Sequence, residues 1–142
     1  MRFLLPEYGR RRSKPQIYVQ SIKPNLYQMH IWSLAQCLIQ KGHKVVVVTH
    51  AYGDRQGVRY MTNGLKVYYL PLAVVYDEVT YPTFFAYFPL FRDILIRERI
   101  TIVHGHQSAS TMTHECILYA RTMGYRVCCT DHSLFGFSDV GG

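Results

Sequence analysis

Four consecutive valines constrain the fold more than any other feature of this sequence. Val45–Val48 is a wholly apolar, β-branched block, which is typical of a strand buried on both faces of a parallel sheet. The apolar positions of Leu26–Gln40 fall close to helical spacing, and Lys41 and Gly42 then supply the cation and the glycine that commonly end a helix. A helix followed by a buried strand predicts an α/β fold.

The rest of the chain continues this alternation. The predicted elements are a hairpin around Asn63-Gly64 (Val58–Met61 with Leu65–Leu70), two helical pieces in Tyr81–Glu98, a strand at Ile100–His104, a helix from Ser108 or Ser110 to about Met123, and a strand at Val127–Thr130. Together they indicate a doubly wound parallel sheet. Residues 1–24 show no clear period, so we expect a poorly specified lead-in, with Ile17-Tyr18-Val19 as its strand candidate, to a domain at 25–142.

Length and composition indicate one globular domain with a basic surface. The chain has 142 residues, 49% of them hydrophobic, and a formal net charge of +7. This charge favours an anionic partner, although a solvated basic surface accounts for it equally well. The sequence has neither the ~20 consecutive apolar residues of a membrane span nor the apolar core of a secretory signal, so we expect a soluble or peripheral chain.

The four cysteines do not form a metal or redox motif. They are Cys37, Cys116, Cys128 and Cys129, with no Cys-x-x-Cys spacing. We expect buried free thiols in a reducing compartment. A Cys–His nucleophile built from the strand cysteines is disfavoured, because thiols inside a buried strand are poorly activated.

Polar side chains follow three of the predicted strands. The candidate site residues are His50, His104, His106, Asp131, His132 and Ser133. Because the carboxyl ends of parallel strands meet at one edge of a sheet, where such folds bind ligands, we expect these side chains to converge there. Imidazoles suit contacts with hydroxyls or phosphates at neutral pH.

A metal site is the alternative interpretation of the same residues. His104, His106, His114 and His132 carry nitrogen ligands, with Asp131 as the nearby carboxylate. No carboxylate is spaced to complete a metalloprotease-like pattern, so we predict that no metal is bound. Glycine-rich nucleotide loops and the Gly-x-Ser-x-Gly esterase motif are also absent from the sequence.

An aromatic segment precedes a group of arginines between residues 81 and 99. Its aromatic members are Tyr81, Phe84, Phe85, Tyr87, Phe88 and Phe91, and its arginines are Arg92, Arg97 and Arg99. Such a segment can lie at the headgroup level of an anionic membrane, or its rings can pack on the sheet as ordinary core. The same composition could stack bases, but the apolar strands offer no alternating aromatic and basic platform, so nucleic acid is not an expected partner.

Several longer blocks resemble one known family. They are Ser33–Ile39, Gly42–Val45 with Thr49–Gly53, Gly64–Pro71, Arg97–His104 and Thr130–Phe137. From about residue 30 to residue 140 the chain resembles the N-terminal domain of the phosphatidylinositol glycan class A family, which are phosphatidylinositol N-acetylglucosaminyltransferases.

The resemblance implies the acceptor half of a retaining GT-B-type glycosyltransferase, built from two Rossmann-like domains that face each other across a cleft. It implies transfer of N-acetylglucosamine from UDP-GlcNAc to phosphatidylinositol, the first step of GPI-anchor biosynthesis. The reaction would take place within a multi-subunit complex on the cytoplasmic face of the endoplasmic reticulum membrane, with no cofactor. His132 would contact the donor sugar, and His104 and His106 would line the acceptor side of the cleft.

The chain departs from the family pattern in two places. Pro24-Asn25 is followed by Leu26–His30, where the family has a glycine-containing segment whose backbone approaches the donor phosphates. The sequence also stops at Gly142, before the family's donor domain and membrane anchor. We therefore expect this chain to be inactive alone, with a non-catalytic phosphoinositide- or subunit-binding module as the alternative function.

Overall fold

The computed structural model describes residues 16–19, 26–76, 79–107 and 110–132. The strands are β1 (Gln16–Val19), β2 (Val45–His50), β3 (Gly57–Tyr60), β4 (Lys66–Leu70), β5 (Val74–Tyr76), β6 (Val79–Thr80), β7 (Ile102–His106) and β8 (Arg126–Thr130), and the helices are α1 (Leu26–Gln40), α2 (Phe88–Arg97) and α3 (Thr111–Thr122). None of these described helices is long and apolar enough to cross a membrane.

A six-stranded sheet in the order β3-β4-β2-β1-β7-β8 organises these elements. All its neighbours are parallel except the β3–β4 hairpin, and β5 and β6 form a separate antiparallel pair. The predicted α/β class is confirmed. The strand candidate Ile17-Tyr18-Val19 is also confirmed, and it lies between β2 and β7. The division of the chain at residue 24 stays a prediction, although β1 belongs to this sheet.

Helices cover both faces of the sheet. On one face α1 packs Ile31 and Ala35 against the odd-numbered valines of β2, Val45 and Val47. The even-numbered valines point the other way, into a core that α2 and α3 complete. This alternation along a fully buried strand is what the valine block predicts, because successive side chains of a strand point to opposite faces.

Local signals place the turns as the sequence predicts. Gly42 has a φ of +82° just beyond α1, and the His43 N–H donates to the Leu38 carbonyl at 2.9 Å. Asn63 takes a left-handed φ of +60° at the β3–β4 turn. Its amide Nδ2 donates to Gln36 Oε1 at 2.6 Å, which ties the hairpin to α1.

The predicted pair of helices in Tyr81–Glu98 is wrong, because only one helix forms there. Phe84 and Phe85 have φ values of +49° and +72°, and two successive left-handed residues cannot continue a right-handed helix. Pro89 occupies the first turn of α2, as predicted.

The aromatic rings of this segment divide between core and surface. Tyr87 and Phe91 are buried, whereas Phe84 is 85% exposed. Neither the membrane interpretation nor the core interpretation therefore describes the whole segment.

The expectation that Val127–Thr130 is buried on both faces is also wrong. The strand β8 lies at the edge of the described sheet, and Cys128 and Cys129 are exposed. An apolar run predicts a strand, but it does not say how many neighbours that strand has. Of the four free thiols only Cys116 is buried, so the expectation of buried cysteines holds for that one alone.

Candidate functional site

Four histidines lie together at the carboxyl edge of the sheet. His30 comes from α1, His104 and His106 from β7, and His132 from the segment after β8. The His106 Nδ1 and His132 Nε2 atoms are 3.0 Å apart, within hydrogen-bonding distance. Ring centroids are 4.2 Å apart for His104 and His106, and 5.0 Å apart for His30 and His132. We call these four residues the histidine cluster.

Strand register explains how the cluster assembles. His104 and His106 are two residues apart and therefore share one face of β7. That face is the one that α1 covers, because His104 is opposite Tyr18 of β1, which in turn is opposite Val47. The neighbouring strand β8 adds Thr130, whose Oγ1 lies 2.7 Å from His104 Nε2.

Three members of the cluster, His104, His106 and His132, favour the uncharged imidazole at neutral pH. His106 is fully buried, and burial together with the neighbouring rings lowers its pKa to about 3. Burial also lowers the pKa of His104, with the rings of His132 and His30 adding to the effect. For His132, burial and His30 lower the pKa, while the Asp131 carboxylate acts in the opposite direction. Neutral rings donate and accept hydrogen bonds, which suits hydroxyl groups better than phosphates.

The structure brings together most of the residues predicted for this site. The His106 ring contacts those of both His104 and His132, and the exposed Asp131 precedes His132 in the chain. Ser133 lies outside the described residues. The roles assigned to these side chains stay predictions.

His50 is placed apart from the cluster, contrary to the expected convergence. It ends β2 at the correct edge, but it follows Val46 and Val48 in alternation and so faces the side of α2 and α3. Its ring packs 6.1 Å from that of Tyr52. Sharing an edge does not mean sharing a face.

His30 is the member of the cluster that sequence reasoning missed, because it falls on a helical apolar position. The position of His30 near the start of the predicted helix could have identified it. The first turns of a helix that follows a parallel strand lie near the carboxyl edge, so a histidine there is a candidate neighbour of the strand ends.

Three of the four rings have the geometry to hold a metal ion. The candidate ligand nitrogens of His30, His106 and His132 all lie within 4.8 Å of one another, and imidazole nitrogen is a common zinc ligand. An ion there would compete with the His106–His132 hydrogen bond for the same lone pairs. This set differs from the predicted one, since His114 is exposed on α3, across the sheet.

A second polar cluster lies at the opposite edge of the sheet. Glu98, which is 5% exposed, accepts from Lys44 and Lys66 at 2.5 Å each and from the Tyr68 hydroxyl at 2.6 Å. Burial alone would raise the pKa of Glu98, but these three donors outweigh it and hold the pKa at about 2. We call these four residues the glutamate cluster.

Comparison with known proteins gives the family. The family model PIGA (GPI anchor biosynthesis) matches residues 50–139. The chain belongs to the PIGA family. The match covers β7, β8 and three members of the histidine cluster, His104, His106 and His132, while His30 precedes it.

Curated relatives in this family are similar over most of the chain. The Schizosaccharomyces pombe phosphatidylinositol N-acetylglucosaminyltransferase gpi3 subunit is 61% identical over 119 residues, which are 84% of this chain and 26% of the relative. The corresponding phosphatidylinositol N-acetylglucosaminyltransferase subunits of Arabidopsis thaliana and Homo sapiens are 61% and 56% identical, over 79% and 82% of the chain and 25% of each relative. The chain thus spans about a quarter of the length of these relatives.

Proposed function

We propose that this chain supplies the acceptor half of a glycosyltransferase that moves N-acetylglucosamine from UDP-GlcNAc to phosphatidylinositol, the first step of GPI-anchor biosynthesis. Membership of the PIGA family and the names of the relatives support this reaction class. The observation that carries the proposal is the histidine cluster, in which His104, His106 and His132 offer uncharged hydrogen-bonding rings at the carboxyl edge of a parallel sheet, where such folds bind ligands.

In this proposal the cluster recognises hydroxyl-rich rings. His132 is half-buried and contacts the transferred sugar, while the buried His106 fixes its orientation through the 3.0 Å hydrogen bond. His104 lines the inositol side. Because these rings stay neutral, they do not need a counter-ion, and they match the uncharged hydroxyls of N-acetylglucosamine and inositol.

The wider setting of the reaction belongs to the same proposal. We infer a Rossmann-like half-enzyme of GT-B type, with a retaining mechanism and a facing donor domain. We place it on the cytoplasmic face of the endoplasmic reticulum membrane, in contact with other transferase subunits. The relatives' names, which describe subunits, support the multi-subunit setting. A sheet with helices on both faces is compatible with the fold assignment.

A segment exchange tests the function. Residues 50–132 of this chain would replace the matching segment of the Schizosaccharomyces pombe relative, and membranes would be assayed for transfer of labelled N-acetylglucosamine to phosphatidylinositol. We expect an active chimera and a loss of about a hundred-fold or more with His132→Ala. The exposed His114→Ala is the matched control and should retain activity. Equal activity of the two variants would rule out the sugar contact.

A further inference from the structure

An apolar pocket of about 350 Å³ opens beside α1, and no member of the histidine cluster lines it. The helix contributes Met29, Ile31 and Trp32 to its wall, and the sheet contributes Val47 and Val67. Such a cavity excludes sugars, because their hydroxyls would lose water without gaining partners. It is suited to a hydrocarbon chain.

One cation stands among the residues that line this pocket. The guanidinium of Arg55 donates from Nη1 to the Tyr52 hydroxyl at 2.8 Å, and its Cζ lies 5.3 Å from the centre of the Tyr52 ring. Tyr52 is itself held by the ring of Tyr69, 5.8 Å away. The charge of Arg55 is therefore held in place while its side chain stays exposed to solvent.

We propose that this pocket binds one acyl chain of an anionic phospholipid, with Arg55 contacting the phosphate. The assignment rests on the proposed function and names where the lipid part of the acceptor is held. An apolar cavity lined by a fixed guanidinium matches the two ends of such a molecule, since arginine binds phosphate oxygens in a bidentate manner. A free phosphate would leave the apolar wall unused.

The pocket is placed to serve the histidine cluster. Met29 and Ile31 line the pocket, and His30 between them joins the cluster, so both sites share the first turns of α1. A lipid held by its tail on one side of the helix would extend its headgroup towards the strand ends. In this arrangement Arg55 contacts the charged phosphate of the lipid, and the neutral histidines contact the hydroxyls of its headgroup.

The single tryptophan of the chain makes the inference measurable. Trp32 lines the pocket, so its fluorescence reports on occupancy without any label on the protein. Titration of the chain with a soluble, single-chain phosphatidylinositol that carries bromine on its acyl chain should quench Trp32 in a saturable manner. Neither the same lipid without bromine nor inositol phosphate without a chain should quench it.

Two variants separate the charge from the cavity. Arg55→Gln should weaken binding about ten-fold by removing a charge-assisted contact. Arg59→Gln makes the same charge change on an exposed residue that donates to the Asp54 carbonyl, and it should bind normally. Equal weakening in both variants would mean a non-specific effect of net charge and would overturn the Arg55 assignment.

A chain-length series keeps the test valid even where a variant fails to fold. Each methylene added to the lipid should tighten binding about four-fold until the pocket is full, because each buried methylene contributes about 0.8 kcal/mol. Affinity independent of chain length would overturn the pocket. Quenching without transfer by the chimera would count against the proposed function alone, whereas transfer without quenching would count against this inference alone.

Discussion

The two polar clusters, one at each edge of the sheet, handle charge in opposite ways. At the amino edge, the glutamate cluster surrounds one buried carboxylate with two ammonium groups and a hydroxyl. At the carboxyl edge, burial first and the neighbouring rings second lower the pKa of His106, so its ring stays uncharged. In the first cluster opposite charges pair within the protein, whereas in the second His104, His106 and His132 favour the uncharged form.

This contrast teaches how to separate structural from functional polar groups. A perturbed pKa occurs at both edges, so the perturbation alone does not mark a site. At the glutamate cluster the shift favours the charged form through hydrogen bonds within the protein. At the histidine cluster the shift disfavours the charged form and keeps the rings in the state that binds hydroxyls.

The largest expected difference between the two clusters is in how the free energy of unfolding depends on pH. Burial holds the pKa of His106 at about 3, below its ordinary 6.5, so below that ordinary value the unfolded chain binds a proton that the folded chain does not. The contribution of this one group is therefore fully present above about pH 6.5, and stability falls by about 1.4 kcal/mol per pH unit between about pH 6.5 and the folded pKa of about 3. Urea unfolding followed at several pH values measures the slope.

A substitution shows which group is responsible for that slope. His106→Asn should reduce the slope by about one proton. If the slope of unfolding free energy against pH is unchanged in His106→Asn, the histidine cluster is not the source of the acid sensitivity.

Removing the Glu98 carboxylate should have the next largest effect on the free energy of unfolding. Glu98→Ala leaves Lys66 and the buried Tyr68 hydroxyl without their acceptor, and we expect a loss of about 2 kcal/mol after allowing for the half-exposed Lys44. Chemical denaturation near neutral pH measures it. Asp93→Ala, which removes an exposed carboxylate 3.8 Å from Arg92, should cost less than about 0.5 kcal/mol.

The stabilising contribution of Glu98 is lost over a different pH range. Its folded pKa of about 2 lies below the ordinary 4.5, so its contribution is present above about pH 4.5 and is lost as the pH falls through 2. The histidine contribution begins to fall at higher pH. A single acid transition common to both edges would contradict this order.

A smaller effect concerns the close packing behind the histidine cluster. A Cβ on Gly105 would lie 2.5 Å from Thr113 Cγ2, and Thr113 cannot turn away without losing its 2.8 Å bond to the His106 carbonyl. We expect Gly105→Ala to cost about 1.5 kcal/mol in unfolding free energy. Adding Thr113→Ser removes the methyl group and keeps the hydroxyl, and it should restore most of the loss. If Thr113→Ser does not restore stability, the Thr113 methyl group is not the source of the strain.

The smallest expected effect tests the start of α3, the helix behind β7. Ser110 Oγ accepts from the Thr113 N–H at 3.2 Å, and Ser110→Ala should cost about 1 kcal/mol in thermal or urea unfolding. Thr122→Ala at the other end removes an exposed hydroxyl that donates to the Tyr119 carbonyl, and it should be close to neutral. If both changes cost the same, capping is not what sets the stability of α3.

Elements with strong local signals were predictable from the sequence. The helix α1 and the strand β2 follow the helical spacing, the Gly42 cap and the valine block. The hairpin follows from Asn63-Gly64. The start of α3 follows from Ser110, one of the two caps considered. Each signal lies within a few residues of the element that it specifies.

Features that depend on distant neighbours were not predictable in this way. The edge position of β8 depends on which strands pair beside it, and the face on which His50 lies depends on the registers of two other strands. The inclusion of His30 depends on where α1 crosses the sheet. The short pair β5 and β6 was missed, because its strands have only three and two residues.

The central position of β1 has a consequence for how the molecule reaches this state. β1, the earliest of the described strands, must be flanked by β2 and β7, and β7 lies more than 80 residues further along the chain. Loop closure over so many residues is entropically costly and slows folding. A truncation that removes Gln16–Val19 would leave β3-β4-β2 and β7-β8 as separate ribbons, each with a newly open edge that invites aggregation.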